Sequence, residues 1–430
     1  MSDKFDVIVV GAGPSGSAAA YRLAQAGAEV LLVERGQYPG AKNLSGGVLF
    51  GRVLGDLIPE FWTEAPIERY INRNILTLMT QDATFNVDFR SEAFSTPPYN
   101  GFSVLRSKFD RWLAEKAEEA GAVLITNIKV DSLVIENGAV KGIAAAGEEM
   151  LADVVIAADG VLSFLAEQAG LRGKYKPSNM AVGVKELIGM DRATIEERFG
   201  LTGNEGTAYG MIGYPTQGVP GGAFFYTNID SISVGLVMHI DHCSEQKVSP
   251  AEAMEEFLAH PFIAPLIRNG KMLEYGAHVV CEGGINGMPK LFTDGMLVVG
   301  DAAGLGSNNG FAVRGMDYAI ASGIYAADTI IEAKEKGDFS SASLAGYKKK
   351  LENSFVLQDM KTYAGAGPFM KAERLYTAYP QMVKDIFGSV YAQKSQPKEN
   401  LMSSLLRARK DSHISFMNLA RDGWKAVRNL

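Results

Sequence analysis

The feature that most constrains the fold of this chain is a glycine-rich segment near its start. Gly11, Gly13 and Gly16 follow the spacing G-x-G-x-x-G, directly after the apolar run 7–10 and before the helix-compatible stretch 17–25. This order predicts a strand, a tight turn and a helix that packs closely on the strand. The positive end of such a helix holds a pyrophosphate, so the segment favours a dinucleotide-binding fold.

An acidic residue follows the second predicted strand. A second strand is predicted over residues 29–33 and runs into Glu34, the position expected of the acid that binds a ribose hydroxyl. A glycine motif alone is a weak signal, because the chain contains 47 glycines. The flanking strands and Glu34 together favour a dinucleotide.

Later segments distinguish FAD from NAD. In LVVGDAAG an apolar strand ends at Gly300 and Asp301, where a carboxylate can accept hydrogen bonds from the ribityl hydroxyls that only a flavin has. The small residues that follow are expected to bring a helix N-terminus, around Asn309 to Arg314, towards the flavin ring, where its dipole favours the charge of reduced flavin. In mid-chain, Asp159 and Gly160 follow another strand, and alone they would indicate a plain turn.

The three segments together resemble the flavoprotein superfamily that includes aromatic hydroxylases, geranylgeranyl reductases and electron-transfer-flavoprotein:quinone oxidoreductases. Arg106, ahead of Phe109 and Asp110, matches an arginine of that superfamily. The resemblance implies that its guanidinium reaches phosphate or ribityl oxygens of FAD, and the alternative is a salt bridge with Asp110 on the same helix face. The same pattern places the backbone near Val130 beside the adenine.

Composition narrows the class of protein. A chain of 430 residues with 47% hydrophobic content can bury a large core and is predicted to divide into two or three regions. The net charge of −7 argues against nucleic acid as the main partner. No apolar run approaches the roughly 20 residues of a membrane span, and the first residues do not have the pattern of an export signal.

Cysteine usage excludes one cofactor. Cys243 and Cys281 are too few to ligate a four-iron cluster within the chain, and a disulfide between them is disfavoured in a reducing cytosol. The group His239, His242 and Cys243 suggests a metal site, but it has no second group of ligands. A strand that ends in a loop is the simpler interpretation, so we expect no metal.

The predicted fold class is α/β, with a Rossmann-like FAD-binding domain of the glutathione reductase or aromatic hydroxylase type. This domain is expected to be discontinuous, over residues 1–70, 100–180 and 286–335. Residues 71–99 and 181–285 alternate with period two and are expected to form an antiparallel sheet over the flavin, as the quinone or substrate domain. Asn137 and Gly138 predict a hairpin turn.

Residues 336–430 are predicted to be helical and to contact a membrane or a partner. Aromatic side chains recur from Phe355 to Tyr391, mixed with Met and Lys. They form either the core of a helical subdomain or a surface at the headgroup level of a membrane. The tail 394–430 is basic, with eight Lys or Arg residues against three acids.

A closer resemblance covers essentially the whole chain. Residues 221–241, 259–323 and 419–430 resemble the FixC family, the flavoprotein subunits of FixABCX or EtfABCX complexes. Residues 282–291, EGGINGMPKL, match the EGGxxxxPKL segment of the larger electron-transfer-flavoprotein:quinone oxidoreductases. Those enzymes carry a cysteine-rich four-iron domain, whose cysteines this chain lacks. In the FixC family the cluster lies on a separate ferredoxin-like subunit of the FixX type.

The resemblance implies a route for electrons. Electron-transfer flavoprotein alpha and beta subunits, of the FixA and FixB type, oxidise NADH and split its electrons by bifurcation. One stream reaches ferredoxin, and the other passes through the iron–sulfur subunit to the FAD of this chain and then to a quinone. The protein is therefore expected to act peripherally on the cytoplasmic face of the cell membrane.

FAD supplies the chemistry, so no dedicated nucleophile is required and no catalytic residue is assigned. The motifs and the resemblance together give the candidate FAD-binding residues: Gly11, Gly13, Pro14, Ser15, Gly16, Glu34, Arg35, Lys42, Asn43, Arg106, Val130, Asp159, Gly160, Gly300, Asp301, Asn309 and Gly310.

Three other functions share these motifs. An FAD-dependent monooxygenase would also need NAD(P)H and an aromatic substrate. A geranylgeranyl-type prenyl reductase has an aromatic-Pro motif that Tyr214 and Pro215 resemble, although its tryptophan is missing here. A non-catalytic FAD-bearing scaffold is the third. The length of the FixC resemblance favours the quinone oxidoreductase subunit.

Overall fold

A computed structural model describes residues 4–43 and 46–430. Within these ranges the chain forms an eight-stranded sheet, a nine-stranded sheet and a small two-stranded one. The first sheet has a parallel centre in the order β17-β10-β1-β2-β7, made of β1 (Lys4–Val10), β2 (Val30–Val33), β7 (Val123–Ile125), β10 (Glu148–Ala157) and β17 (Met296–Val298). Antiparallel additions are β8 (Val130–Glu136), β9 (Ala139–Ala145) and β16 (Phe292–Thr293).

Helices cover this sheet because its parallel strands are apolar on both faces. They include α1 (Pro14–Gln25), α2 (Arg52–Leu57), α3 (Arg106–Glu119), α4 (Phe164–Gln168) and α9 (Met316–Lys336). The long helix α9 lies so close to α1 that a Cβ on Gly323 would be 2.2 Å from the carbonyl oxygen of Ser15. Small residues therefore set the distance between these two helices.

The second sheet runs in the order β15-β11-β14-β13-β12-β4-β6-β3, with β5 paired to β4. Its strands are β3 (Gly47–Phe50), β4 (Ile67–Met79), β5 (Thr84–Arg90), β6 (Gly101–Val104), β11 (Met180–Gly189), β12 (Glu205–Gly213), β13 (Gly221–Thr227), β14 (Ser231–His239) and β15 (Lys271–Cys281).

The prediction of a purely antiparallel sheet is wrong at one pair. Strands β4 and β12 are parallel, because the chain returns to the first sheet between them and so arrives at β12 by a long crossover. Strands β3 and β6 lie inside the ranges expected for the FAD-binding domain, yet they hydrogen-bond within the second sheet.

The two faces of the second sheet differ. One face is apolar, with residues such as Val184, Leu236 and Phe225, and it is covered by α5 (Arg192–Phe199), α6 (Ile240–Gln246), α7 (Pro250–Ala259) and α8 (Ala264–Ile267). Strand register places Lys185, Gly235 and Phe224 side by side on the other face. We call this second side, which is not covered by α5 to α8, the glycine-rich face.

The rest of the chain is helical, as predicted. It comprises α10 (Ser341–Leu344), α11 (Gly346–Glu352), α12 (Phe355–Thr362), α13 (Ala366–Met370), α14 (Ala378–Tyr391), α15 (Leu401–Asp411) and α16 (Phe416–Asn429). Helices α11 and α12 pack on the core of the first sheet through Tyr347, Leu351 and Met360.

Three local predictions have different outcomes. The hairpin turn at Asn137 and Gly138 is confirmed, with φ of 51° and 82° between β8 and β9. The helix expected around 309–314 is wrong: β18 (Ser307–Asn308) and β19 (Val313–Arg314) form a hairpin there, and α9 begins only at Met316. After His239 the chain enters α6 rather than a loop.

The aromatic run from Phe355 to Tyr391 divides between core and surface. Phe369 and Tyr376 are 7% and 6% exposed, so the interpretation as core applies to them. Phe387 and Tyr391 are 38% and 78% exposed at the end of α14. Among the described residues, no helix combines the length and the apolar character that crossing a bilayer requires.

The buried hydroxyl of Tyr347 donates a 3.0 Å hydrogen bond to the carbonyl oxygen of Val298, joining α11 to β17. We expect Tyr347→Phe to lower the free energy of unfolding by about 1 kcal/mol, because that bond is lost inside the core. The urea midpoint measures this. Tyr391→Phe, at an exposed ring, is the matched control, and equal midpoints for the two variants would contradict the prediction.

Candidate functional site

The N-terminus of α1 begins in a turn that only glycine can form at two positions. Gly11 has φ of 104°, and a Cβ there would lie 2.3 Å from the carbonyl oxygen of Ala158. A Cβ on Gly16 would lie 1.9 Å from the carbonyl oxygen of Gly11. At Gly13, by contrast, a Cβ would meet only Nη2 of Arg106, at 3.7 Å. The turn is therefore packed behind Gly11 and Gly16 and open in front of Gly13.

The carboxylate of Glu34 lies against this turn. Its Oε2 accepts a 3.0 Å hydrogen bond from the amide of Ala12, and its Oε1 accepts one of 2.6 Å from the amide of Gly36. The side chain is 9% exposed. Glu34 thus connects the end of β2 to the glycine turn, at the place where the sequence predicts contact with a ribose.

Arg106 forms the salt bridge with Asp110 that the sequence suggested, and its guanidinium also lies in front of the glycine turn. Its Nε and Nη2 donate to the carboxylate of Asp110 at 2.7 and 2.8 Å, while Nη2 also lies in front of Gly13. Asn43 donates to the same carboxylate at 3.0 Å. Burial opposes the charge of Arg106, but Asp110 and, more weakly, Asp301 outweigh it and raise the pKa of the guanidinium.

Two further carboxylates belong to this region, and one of them, Asp301, indicates a cavity beside the turn. Asp301 is exposed to solvent, yet desolvation raises its pKa against the opposing charges of Arg106 and His278. Exposure combined with desolvation is expected of a carboxylate at the bottom of a cavity. Asp159 accepts from the amide of Leu165 at 3.3 Å, but its buried Oδ1 has no hydrogen-bond partner among the described residues.

These features fit FAD. The open turn at Gly13 and the adjacent guanidinium of Arg106 suit a pyrophosphate, and the accessible carboxylate of Asp301 suits ribityl hydroxyls. The unpartnered oxygen of Asp159 leaves an acceptor for a ligand donor. Gly300 belongs to the same group, because its Cβ would lie 2.6 Å from Oγ of Ser15.

The other candidate residues are less close to the turn or carry fewer contacts. Pro14 is the first residue of α1, Gly160 has φ of 83° after β10, and Arg35 and Lys42 are exposed on the loop after β2. Val130 begins β8. Asn309 and Gly310 form the β18–β19 turn, and a Cβ on Gly310 would lie 3.7 Å from Sδ of Met370.

Three titratable residues in this region were missed by sequence reasoning. Desolvation and the charge of Arg106 lower the pKa of Lys185 to about 7, and desolvation raises that of Glu282 to about 7. Desolvation lowers the pKa of His278, which interacts electrostatically with Asp301. The available signal for Lys185 was a lysine inside the otherwise small and apolar stretch MAVGV.

The glycine-rich face has space for a planar ring. A Cβ on Gly210 would meet no atom within 4 Å, and His278 pairs with Gly183 on the same side of the sheet. At the far edge of this face a cavity of about 410 Å³ lies between the β4–β5 hairpin and α14. Its apolar lining includes Leu78, Phe85, Pro380, Val383, Phe387 and Tyr391.

No described residues form a group of three or more His, Cys, Asp or Glu side chains that could hold a metal. Cys243 and Cys281 are free thiols.

Three family models match the chain over adjoining or nearby ranges. The model described as FAD dependent oxidoreductase matches residues 6–179, which contain the glycine turn. The model described as ETF-QO, ubiquinone-binding matches residues 180–280, which contain β11 to β14. The model described as ETF-QO/FixC family C-terminal domain matches residues 366–430.

Proteins with similar sequences match this chain over most or all of its length. Protein FixC of Escherichia coli K12 is 45% identical over 425 residues, which cover 99% of this chain and 99% of that protein. The probable electron transfer flavoprotein-quinone oxidoreductase YdiS of the same organism is 44% identical over 428 residues, covering 100% and 99%. Protein FixC of Azotobacter vinelandii is 41% identical over 387 residues, covering 89% of each.

Solved structures with the same fold have lower identity. A geranylgeranyl bacteriochlorophyll reductase-like protein from Thermoplasma acidophilum matches with a TM-score of 0.73 and 22% identity, over 98% of this chain and 99% of that one. The flavin-dependent brominase Bmp2 matches at 0.63 and 16%, over 95% and 99%. These likenesses concern the fold alone. The FAD-dependent oxidoreductase model and the full-length relatives show that this chain is an FAD-dependent oxidoreductase of the FixC and electron transfer flavoprotein-quinone oxidoreductase family.

Proposed function

We propose that this protein passes electrons from an iron–sulfur partner, through FAD, to a membrane quinone. One observation carries the proposal: the segment matched by the ubiquinone-binding model forms the glycine-rich face, and that face contacts Gly46 in the loop between β2 and β3. A quinone ring placed on this face would be next to the FAD site.

Some residues of the chain would bind FAD, and others would shield it from water. FAD, when bound, accepts electrons one at a time and delivers two to a quinone. Gly13 and Arg106 would hold the phosphates, and Asp301 would accept hydrogen bonds from the ribityl chain. The second sheet would shield the flavin from water, and Glu282, whose pKa desolvation raises to about 7, is a group that can hold a proton at neutral pH.

The partners follow from the family. We propose an electron-bifurcating complex with electron-transfer flavoprotein alpha and beta subunits and a ferredoxin-like iron–sulfur subunit. Relatives named FixC that match 99% of this chain support it. Two cysteines in the chain are too few for a four-iron cluster, so the cluster would be supplied by the partner.

Membrane contact would occur through the β4–β5 hairpin and α14. Val87 and Phe89 on β5 are 55% and 56% exposed, and they extend the apolar surface of Phe387 and Tyr391. The 410 Å³ cavity opens between these elements and is apolar enough for an isoprenoid tail. We propose that this surface lies on the cytoplasmic face of the membrane and that the quinone enters there.

The first test concerns FAD binding. Gly13→Val should give apoprotein, because the branched side chain occupies the space in front of the turn. The variant should still fold, since a Cβ at this position meets only the guanidinium of Arg106. Flavin absorbance of the purified protein measures this, with Gly423→Val on α16 as the control. Full flavin absorbance in Gly13→Val would refute the assignment.

The second test concerns the electron donor. We expect the isolated chain not to be reduced rapidly by NADH, because its one dinucleotide fingerprint is taken by FAD. Anaerobic stopped-flow mixing with NADH should leave the flavin absorbance unchanged on the timescale of turnover, whereas dithionite should bleach it. Rapid bleaching by NADH would instead favour the monooxygenase or prenyl reductase.

The third test concerns the membrane. Phe387→Ser with Tyr391→Ser should weaken liposome binding at least tenfold and lower quinone reduction, with FAD content and thermal stability retained, because exposed apolar area is lost. Phe369→Ser with Tyr376→Ser is the contrasting pair. These rings are buried, so that variant should melt early. Unchanged liposome binding by the first pair would contradict the proposed surface.

A further inference from the structure

Lys185 lies on the glycine-rich face, on β11 between β14 and β15. Its neighbours in the strand register are Gly235 on β14 and Gly276 on β15, so no side chain stands beside it on either adjoining strand. Its Nζ lies 5.3 Å from the centroid of the Phe224 ring and donates a hydrogen bond to the carbonyl oxygen of Gly46. The side chain therefore extends from the second sheet to the loop that precedes β3.

That loop belongs to the cofactor side of the cavity. Gly46 has φ of 80°, and a Cβ there would lie 2.0 Å from Oγ of Ser233, so the loop backbone is pressed against the glycine-rich face. A few residues earlier, Asn43 is bound to Asp110, the partner of Arg106. Lys185 thus contacts this loop at Gly46, and Asp110, the partner of Arg106, contacts it at Asn43.

The charges around Lys185 make its protonation state sensitive to a bound anion. Desolvation and Arg106 of α3 lower its pKa to about 7, and Glu274 of β15 opposes this. His278 and Tyr226 are further titratable groups on the same face, and desolvation raises the pKa of Tyr226 and lowers that of His278. An added negative charge in the cavity would favour the ammonium form.

We propose that the ammonium group of Lys185 stabilises the reduced, negatively charged form of FAD and thereby sets its reduction potential. Reduction brings two electrons and one proton to the flavin and leaves one net negative charge in the cavity. Lys185 then takes up a second proton from solvent wherever it is neutral beside oxidised FAD. The inference depends on FAD binding in this cavity and on neither the quinone nor the partner subunits.

The pH dependence follows from these charges. Below the pKa that Lys185 has beside oxidised FAD, its side chain is charged in both redox states, and one proton accompanies two electrons. The negative charge of reduced FAD raises the pKa of Lys185 further, so between these two pKa values reduction takes up two protons. In this window the slope of the potential against pH doubles.

The experiment is an anaerobic spectroelectrochemical titration of the FAD-loaded protein between pH 6 and pH 9. In Lys185→Met at pH 6, the affinity for reduced FAD should fall about tenfold relative to the affinity for oxidised FAD. This change lowers the two-electron reduction potential by about 30 mV. The doubled slope above pH 7 should disappear. Lys348→Met, on the exposed side of α11, should behave as the wild type.

Lys185→Arg separates charge from packing, because arginine keeps its charge throughout this range. It should retain the potential at pH 6 and lose the doubled slope, even if the Met variant fails to bind FAD. Wild-type potential and slope in Lys185→Met would overturn the proposal, and so would a doubled slope in Lys185→Arg. Neither result would affect the proposed quinone reduction, since no quinone is present in the measurement.

Discussion

The site depends on one buried carboxylate. Asp110 is fully buried on α3 and accepts hydrogen bonds from Arg106 and Asn43, so it joins the helix, the guanidinium in front of Gly13 and the loop after β2. A buried charge of this kind is tolerated only when it is paired and hydrogen-bonded, and removing one partner of such a pair typically costs 3–5 kcal/mol. The same ion pair fixes the positive charge in front of Gly13, so the orientation of Arg106 is settled before any ligand arrives.

Glycine serves two purposes around this pair. In the turn it allows backbone atoms to touch, as at Gly16 against Gly11, and it brings the helix N-terminus to the end of β1. On the second sheet glycine removes side chains from one face and leaves Lys185 a clear path to Gly46. The cavity is therefore formed by backbone and by a few charged side chains, which explains why Asp301 is exposed to solvent and desolvated at once.

Sequence reasoning succeeded where the determinants are local. The turn at Gly11, the hairpin at Asn137 and the helical C-terminal region are properties of short segments, and the motifs around Asp159 and Asp301 indicated the cofactor. Sequence reasoning failed where the structure depends on more than the local sequence pattern. The bond from Lys185 to Gly46 joins residues 139 apart, and the hairpin at 307–314 replaces a helix that local composition allowed. Burial of Phe369 and Tyr376 likewise depends on packing that an aromatic pattern cannot specify.

The parallel pairing of β4 with β12 also has a consequence for biosynthesis. Strand β4 ends at Met79, and its partner β12 begins only at Glu205. Between them the chain contributes α3 and four strands, β7 to β10, to the first sheet, and β5, β6 and β11 to the second. At a synthesis rate of about 5–20 residues per second, the edge of β4 that pairs with β12 stays unpaired for on the order of 10 s. The two sheets therefore mature together, because the second sheet cannot complete its pairing of β4 with β12 until β7 to β10 of the first sheet have also emerged.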